Sequence, residues 1–522
     1  MRLEESCFRS GCSQVGGLPS AKQKEFGSKK KANLKMNWAC VSKRSELIRT
    51  VLLVSFFGFL GFLWFSFVVP PWRGMISGDD SVPYLMTTTP WWRQDFYYWN
   101  SSRYGAVYIC FWKAIGKYFF GSTPDAFFLG HTVIASAAWG FWLSGLKSKV
   151  HWLLFVLILI PATENFTLNL LFPKQLTGIL LFLTSVYFWL IDQDFKGKKV
   201  GFFLGVLVGL MYWQHVLIGA AFALLSVLVI FWQNRKLSGS FVFGFIPVLV
   251  FSEVTRMWSN EGGVDQFYRV GNFYDFRVSL RHFLHHGFSM YLSDAYGLLL
   301  LALLIFGLAV VLAAVFRGKM ALSEMRSVRA TLPALTLFLL MGLVLIICYS
   351  SWYKVNRYED RYFAFVPTVL VYSILKMRES GEFGLRFKKL SLFLCIAISL
   401  VANTRSRWGE SVFVGSKVWQ ENASIQMASL NKQEQELLSL GCQGYFSTHW
   451  DAYRLAAAGR QTILMSKYGD GANPYLVNSI FEKKRICISD KVADEVAVNG
   501  VVKGHPFCRF DDSLWVCDSL SL

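Results

Sequence analysis

The sequence predicts an all-α polytopic membrane protein of about eleven transmembrane helices, followed by a small α/β or α+β domain. Three observations predict it. Of 522 residues, 54% are hydrophobic and only 17% charged, with a mean hydropathy of +0.38, far from the balance of a soluble domain. Between residues 48 and 403, apolar runs recur at close to the ~20 residues needed to cross a hydrocarbon layer of ~30 Å. Residues 404–522 are a different material, polar and of balanced charge, with 13 basic and 13 acidic side chains.

Residues 1–47 read as a basic cytoplasmic tail without fixed structure: Ser/Gly/Lys-rich, nonperiodic, and lacking the apolar core of a cleaved signal. Met36 stands just ahead of a basic flank (Lys43, Arg44, Arg49), which leaves Met1 and Met36 as alternative natural starts. The predicted spans are 48–69, 126–145, 150–165, 168–191, 200–214, 216–232, 238–255, 297–316, 331–350, 363–376 and 390–403. Two pairs come from nearly continuous apolar runs, divided at Pro161-Ala-Thr-Glu164 and at Gln214-His215.

The basic residues set the orientation. With the amino end inside, every short cytoplasmic loop is basic: Lys147 and Lys149; Lys196, Lys198 and Lys199; Arg235 and Lys236; Arg317, Lys319, Arg326 and Arg329; Lys376, Arg378, Arg386, Lys388 and Lys389. The net charge of +19 is accounted for by this topology and by contact with anionic membrane lipids, and calls for no nucleic-acid partner. An odd number of spans puts loops 70–103 and 256–296 and the 404–522 domain on the extracytoplasmic face. That domain is expected to have a helix near 423–440 and strands near 443–447, 461–466 and 513–517. Its cysteines, Cys442, Cys487, Cys508 and Cys517, allow two disulfides in three connectivities in an oxidising compartment, or four buried thiols.

No soluble-enzyme motif is present: no phosphate-cradling glycine loop, no nucleophile elbow, no histidine pair at metal spacing. Polar groups instead gather at the outer ends of the spans. Asp79 and Asp80 follow the first span; then come Arg103 and Tyr104, Glu164 and Lys174, His215, and Lys354, Arg357, Glu359, Asp360 and Arg361 before the tenth span. Each alone also fits an interfacial residue snorkelling to water. Together they describe an outer cavity holding carboxylates and cations. Carboxylates suit deprotonation of an acceptor or cation binding; Arg and Lys suit a phosphate.

The order of these features resembles the GT-C glycosyltransferases, polytopic enzymes that use polyprenyl-phosphate sugars. Those features are an amino-in first span, an outer loop with an acidic pair, an aromatic interfacial segment, a Pro-containing turn, and Glu359-Asp-Arg-Tyr-Phe-Ala-Phe-Val-Pro367 opening a late span before a soluble outer domain. Within that superfamily the chain is similar to the bacterial serotype-converting glucosyltransferases and to the protein mannosyl- and aminoarabinose-transferase branch. It departs from the mannosyltransferase pattern of Asp-Glu and His-Pro, having Asp79-Asp80 and Ser102-Arg103-Tyr104. The sugar and the acceptor are therefore not carried over.

The resemblance implies inverting transfer of a sugar from a polyprenyl-phosphate donor to a glycan, lipid or protein acceptor, at the outer face of a bacterial plasma membrane. Arg361, with Lys174 and Arg357, would hold the donor phosphate. Asp79 or Asp80 would be the catalytic base, the other capping a helix or binding a divalent cation, the only cofactor the residues suggest. Arg103, Tyr104, Glu164 and Tyr362 would contact substrate. Three other readings stand beside this one. They are a polysaccharide polymerase or ligase, a lipid-linked-glycan transporter or flippase, and a non-catalytic scaffold. The first usually carries its arginine-rich loops late, and the second wants charges at mid-membrane.

Overall fold

The computed structural model describes residues 45–63, 65–66, 82, 84–87, 106–159, 177–192, 198–214, 216–233, 235–259, 272–286, 294–316, 328–350, 366–380, 383–405, 415–458, 463–467, 474–497, 508–511 and 514–518. Helix α1 is Ser45–Leu63. Helix α2, Ala106–Phe111, runs through a wider π-helical turn at Trp112–Gly116 into the short α3, Lys117–Phe120. Then follow α4 (Pro124–Gly145), α5 (Lys149–Leu159), α6 (Thr177–Asp192), α7 (Lys198–Gln214), α8 (Val216–Gln233) and α9 (Arg235–Ser259). Helices α10 (Phe273–His286), α11 (Asp294–Phe316), α12 (Val328–Tyr349), α13 (Val366–Ser380) and α14 (Leu385–Arg405) complete the apolar part.

Each predicted span coincides with one of these helices over most of its length, and the division at Gln214-His215 is where α7 gives way to α8. Four helices are long and apolar enough to cross a membrane by length and composition: Ser45–Leu63, Pro124–Gly145, Ala295–Phe316 and Leu332–Tyr349. Several of the others are apolar but shorter. The 17 residues of α7, for example, rise about 26 Å at 1.5 Å each, just under the hydrocarbon thickness.

Local chemistry explains the boundaries. Helix α4 starts where Thr123 accepts a hydrogen bond from the Ala126 amide through its hydroxyl, with Pro124 in the first turn, where no N–H is needed. Helices α7 and α9 approach closely because glycines face the contact. A side chain at Gly205 would meet the backbone of Phe241 and Phe245, and one at Gly244 the backbone of Phe202. The main core runs through α4–α8 and α11–α14, with Tyr187, Phe188, Phe222 and Tyr296 among its largest buried side chains.

Helix α15 (Gly415–Ser439) leads into an α/β domain built from β1 (Gly444–Ser447), α16 (His449–Ala458), β2 (Leu464–Lys467), α17 (Pro474–Phe481), β3 (Arg485–Ser489), α18 (Asp490–Ala497), β4 (Cys508–Asp511) and β5 (Leu514–Asp518). The sheet order is β2-β1-β3-β5-β4, parallel on both sides of β1 and antiparallel from β3 onward. The predicted helix and strands are present, extended by β3 and β4. Both disulfides form, Cys442–Cys487 and Cys508–Cys517. The second joins residues directly opposite one another on β4 and β5.

Candidate functional site

One end of the helical core collects the described segments that flank the sequence-predicted site. Val82 and the helical turn 84–87 follow two and four residues after Asp80, and Val82, Tyr84, Leu85 and Met86 are buried. The Tyr84 ring meets Phe127 edge-on at 5.7 Å. Thr87 donates its hydroxyl to the Tyr84 carbonyl at 2.6 Å, and Lys113 reaches from the π-helical turn to donate to the Thr87 carbonyl at 2.8 Å. Burial first, and then the neighbouring Lys117 charge, hold the Lys113 ammonium below the ordinary lysine value. Tyr108 donates to the Phe127 carbonyl at 2.6 Å and stacks on His131 at 4.7 Å, while Trp112 lies edge-on to Phe127.

The same buried cluster takes in Ile179 at the start of α6 and Trp213 at the end of α7, and continues into Leu430 and Leu437 of α15 and Tyr445 and Tyr453 of the α/β domain. The loop segment after the acidic pair, the aromatic helix after Arg103-Tyr104 and the carboxyl-terminal domain therefore share one end of the core. Apolar burial supplies the cohesion there, as it does within each helix pair.

Gln214 and His131 at this end are buried with polar atoms that find no hydrogen-bond partner among the described residues. Gln214, the last residue of α7, is only 2% exposed, and among the described residues neither its amide nitrogen nor its amide oxygen has a partner. His131 Nε2 is likewise buried without one. Leaving such a group unsatisfied costs about 1–3 kcal/mol, so each is a group that a bound hydroxyl or phosphate could satisfy. Sequence reasoning used Gln214 only as a polar interruption of an apolar run. Its burial comes from the packing of α7, which periodicity does not report.

Asp79, Asp80, Arg103, Tyr104, Glu164, Lys174, His215, Lys354, Arg357, Glu359, Asp360, Arg361 and Tyr362 lie outside the described residues. Among the described residues, no group of three or more His, Cys, Asp or Glu side chains could hold a metal ion. The acidic pair proposed for a divalent cation was outside that set.

The opposite end of the core carries charges of another kind. Lys376 donates to Asp192 and to the Gly145 carbonyl, both at 2.8 Å, tying α13 to α6 and α4. Glu379 Oε1 accepts from the backbone amides of Lys147 and Ser148 and from His151 Nδ1. A cavity between Tyr372, Lys376, Asp192 and Pro333 has about 10 Å³ of free space, room for roughly one water. Among the described residues this end is a structural clasp, and this cavity is too small for a sugar.

No family model, no curated protein and no solved structure matches this chain.

Proposed function

We propose that the protein is a membrane glycosyltransferase of GT-C type. It has eleven spans, a cytoplasmic amino terminus and an extracytoplasmic α/β domain, and it moves a sugar from a polyprenyl-phosphate donor to a cell-surface glycan, lipid or protein. The observation that carries the reading is convergence at one end of the core. Buried Val82, Tyr84, Leu85 and Met86 after Asp79-Asp80, the helix after Arg103-Tyr104, the start of α6 after Lys174 and the end of α7 before His215 enter one cluster with the carboxyl-terminal domain. The domain's two disulfides favour an oxidising, extracytoplasmic location for that end.

In this reading Arg361 grips the donor phosphate bidentately, with Lys174 and Arg357 adding charge. One carboxylate of the acidic pair, Asp79 by preference, takes the acceptor proton as oxygen attacks the anomeric carbon. The phosphate leaves already neutralised by cations and needs no strong general acid. Arg103, Tyr104, Glu164 and Tyr362 orient the substrates.

The test is turnover of polyprenyl-phosphate sugars by purified protein. Asp79→Asn or Asp80→Asn, whichever removes the base, is expected to slow transfer by about 10²–10⁴-fold with donor affinity retained. Arg361→Lys is expected to weaken donor binding while the protein stays folded. Full activity in both carboxylate variants would remove the general-base assignment.

A further inference from the structure

Helix α10 falls in a loop where the apolar-run analysis expected no element, and its two faces differ sharply. Asn272 caps it, accepting from the Asp275 amide through Oδ1 at 2.7 Å. Its inner face is Phe276, Ser279, Leu280 and Phe283, with Ser279 and Phe283 buried and Phe276 and Leu280 packed on the main core. Its outer face is Phe273, Tyr274, Arg277, Arg281 and Leu284, all exposed; Phe273 is 75% and Tyr274 71% exposed. At 100° per residue those five side chains fill one stripe of about 100° that contains no acid. Arg277 and Arg281 stand one helical turn apart on it, and neither has an ion-pair or hydrogen-bond partner among the described residues.

The depth of this helix is fixed by its neighbour. Phe276 packs against Tyr349, ring centres 5.6 Å apart, and Tyr349 is the last residue of the apolar stretch Leu332–Tyr349. Helix α10 therefore lies level with the point where the apolar surface of α12 runs out. A second element has the same character. Ile115, Tyr118 and Phe119 are exposed around the π-helical turn and α3, with Lys117 over the Tyr118 ring at 5.0 Å. Exposed aromatics combined with long cationic side chains are what a membrane–water interface selects.

We propose that α10 is an in-plane interfacial helix whose outer face seats in the bilayer surface, with Arg277 and Arg281 holding the phosphate headgroups of anionic phospholipids. Phe273, Tyr274 and Leu284 enter the headgroup–acyl boundary, while the two planar guanidinium groups take phosphate oxygens pairwise. Charge complementarity selects the occupant: a stripe with two arginines and no carboxylate fits an anionic lipid and offers a zwitterionic one no advantage. The inference stands on the membrane reading alone and does not require sugar transfer, so either can fail without the other.

The experiment titrates the full-length protein, in a non-ionic detergent, with phosphatidylglycerol, phosphatidylcholine and a polyprenyl phosphate in turn, counting bound lipid by native mass spectrometry. Arg277→Gln/Arg281→Gln is expected to lower apparent phosphatidylglycerol affinity by roughly 30-fold at low salt, from about one surface-charge interaction per arginine, with phosphatidylcholine binding unchanged. Arg277→Lys/Arg281→Lys should recover only part of the affinity, because the charge is kept but the paired guanidinium contacts are lost. Unchanged phosphatidylglycerol binding in the Gln variant would overturn the proposal. So would a loss confined to the polyprenyl phosphate, which would make the donor the occupant. If the Gln variant does not fold, salt decides on the wild-type protein: weakening of phosphatidylglycerol binding between 50 and 500 mM supports the proposal, and indifference to salt overturns it.

Discussion

Replacing Glu379 tests how the polar end of the core is held together. Its carboxylate is 9% exposed, and one oxygen accepts three hydrogen bonds: from the Lys147 amide at 2.8 Å, the Ser148 amide at 3.0 Å and His151 Nδ1 at 2.9 Å. Arg378 Nε donates to the other ring nitrogen of His151, which makes Nε2 the acceptor and leaves the proton on Nδ1 facing Glu379. Burial pushes the Glu379 carboxyl up, but hydrogen bonds from His151 and the two amides, with the Lys376 charge, outweigh it and hold the group below the usual glutamate value. The Lys147 bond is open to water and contributes little, while the two partly buried bonds are charge-assisted at about 1.5 kcal/mol or more each. Glu379→Ala is therefore expected to cost about 3 kcal/mol, and Glu379→Gln, which keeps an acceptor oxygen, about 1–2 kcal/mol.

Because the folded group titrates below its unfolded counterpart, the ionised carboxylate stabilises the protein fully above the ordinary glutamate range. That contribution is lost as pH falls through the lowered folded value. Thermal unfolding of the purified protein in detergent, followed by tryptophan fluorescence at pH 7.5 and at successively lower pH, reads both effects. Glu379→Gln should melt lower at pH 7.5, and the difference should close in acid. A double-mutant cycle with His151→Ala should return a coupling of about 1 kcal/mol or more. A Gln variant as stable as the wild type at pH 7.5, or a gap that persists at acid pH, would refute the reasoning.

Four further outcomes are expected. Gly205→Val should destabilise by about 2–3 kcal/mol, because the new side chain meets the rigid backbone of α9. Gly239→Ala, with nothing within 4 Å, should be neutral or slightly stabilising in the same melt. Reduction should destabilise the α/β domain mainly through Cys442–Cys487, whose 45-residue separation corresponds to roughly 4 kcal/mol of chain entropy, against roughly 2.5 kcal/mol for the 9-residue Cys508–Cys517 loop. Single Cys→Ser variants compared by limited proteolysis would show the order. Gln214→Leu should leave the melting temperature equal or higher, by relief of an unsatisfied amide, and under the proposed sugar transfer it should raise KM for the donor or the acceptor; unchanged kinetics would remove Gln214 from the proposed site.

The sequence alone determined whatever depends on residues near one another in the chain. Apolar runs located the helices from α1 to α14 that match a span, since burying such a run as helix satisfies every backbone group internally. The polar pair Gln214-His215 located the break between α7 and α8 for the same local reason. Helices α2 and α3 escaped because they are only six and four residues long, and α10 because it is amphipathic. The signal of α10 is a helical-period stripe, with Phe276, Leu280 and Phe283 on one side and Arg277 and Arg281 on the other, which does not register as a long apolar run. Strands β3 and β4 were not expected: Arg485–Ser489 follows a charged stretch and Cys508–Asp511 is half polar, and their place in the sheet comes from pairing with β1 and β5. The disulfide pairing was open among three connectivities until the register placed Cys508 opposite Cys517.

Tertiary structure alone decided which polar groups meet. Lys376 finds Asp192 across 184 residues, and Glu379 finds His151 across 228, because helix ends that are remote in sequence pack side by side. It also decided that the turn after the acidic pair, the aromatic helix at 106–111 and the α/β domain share one buried cluster. Residue types state what chemistry is available; the sequence carries no term for distances set by packing between helices, and those distances select the groups that can act together.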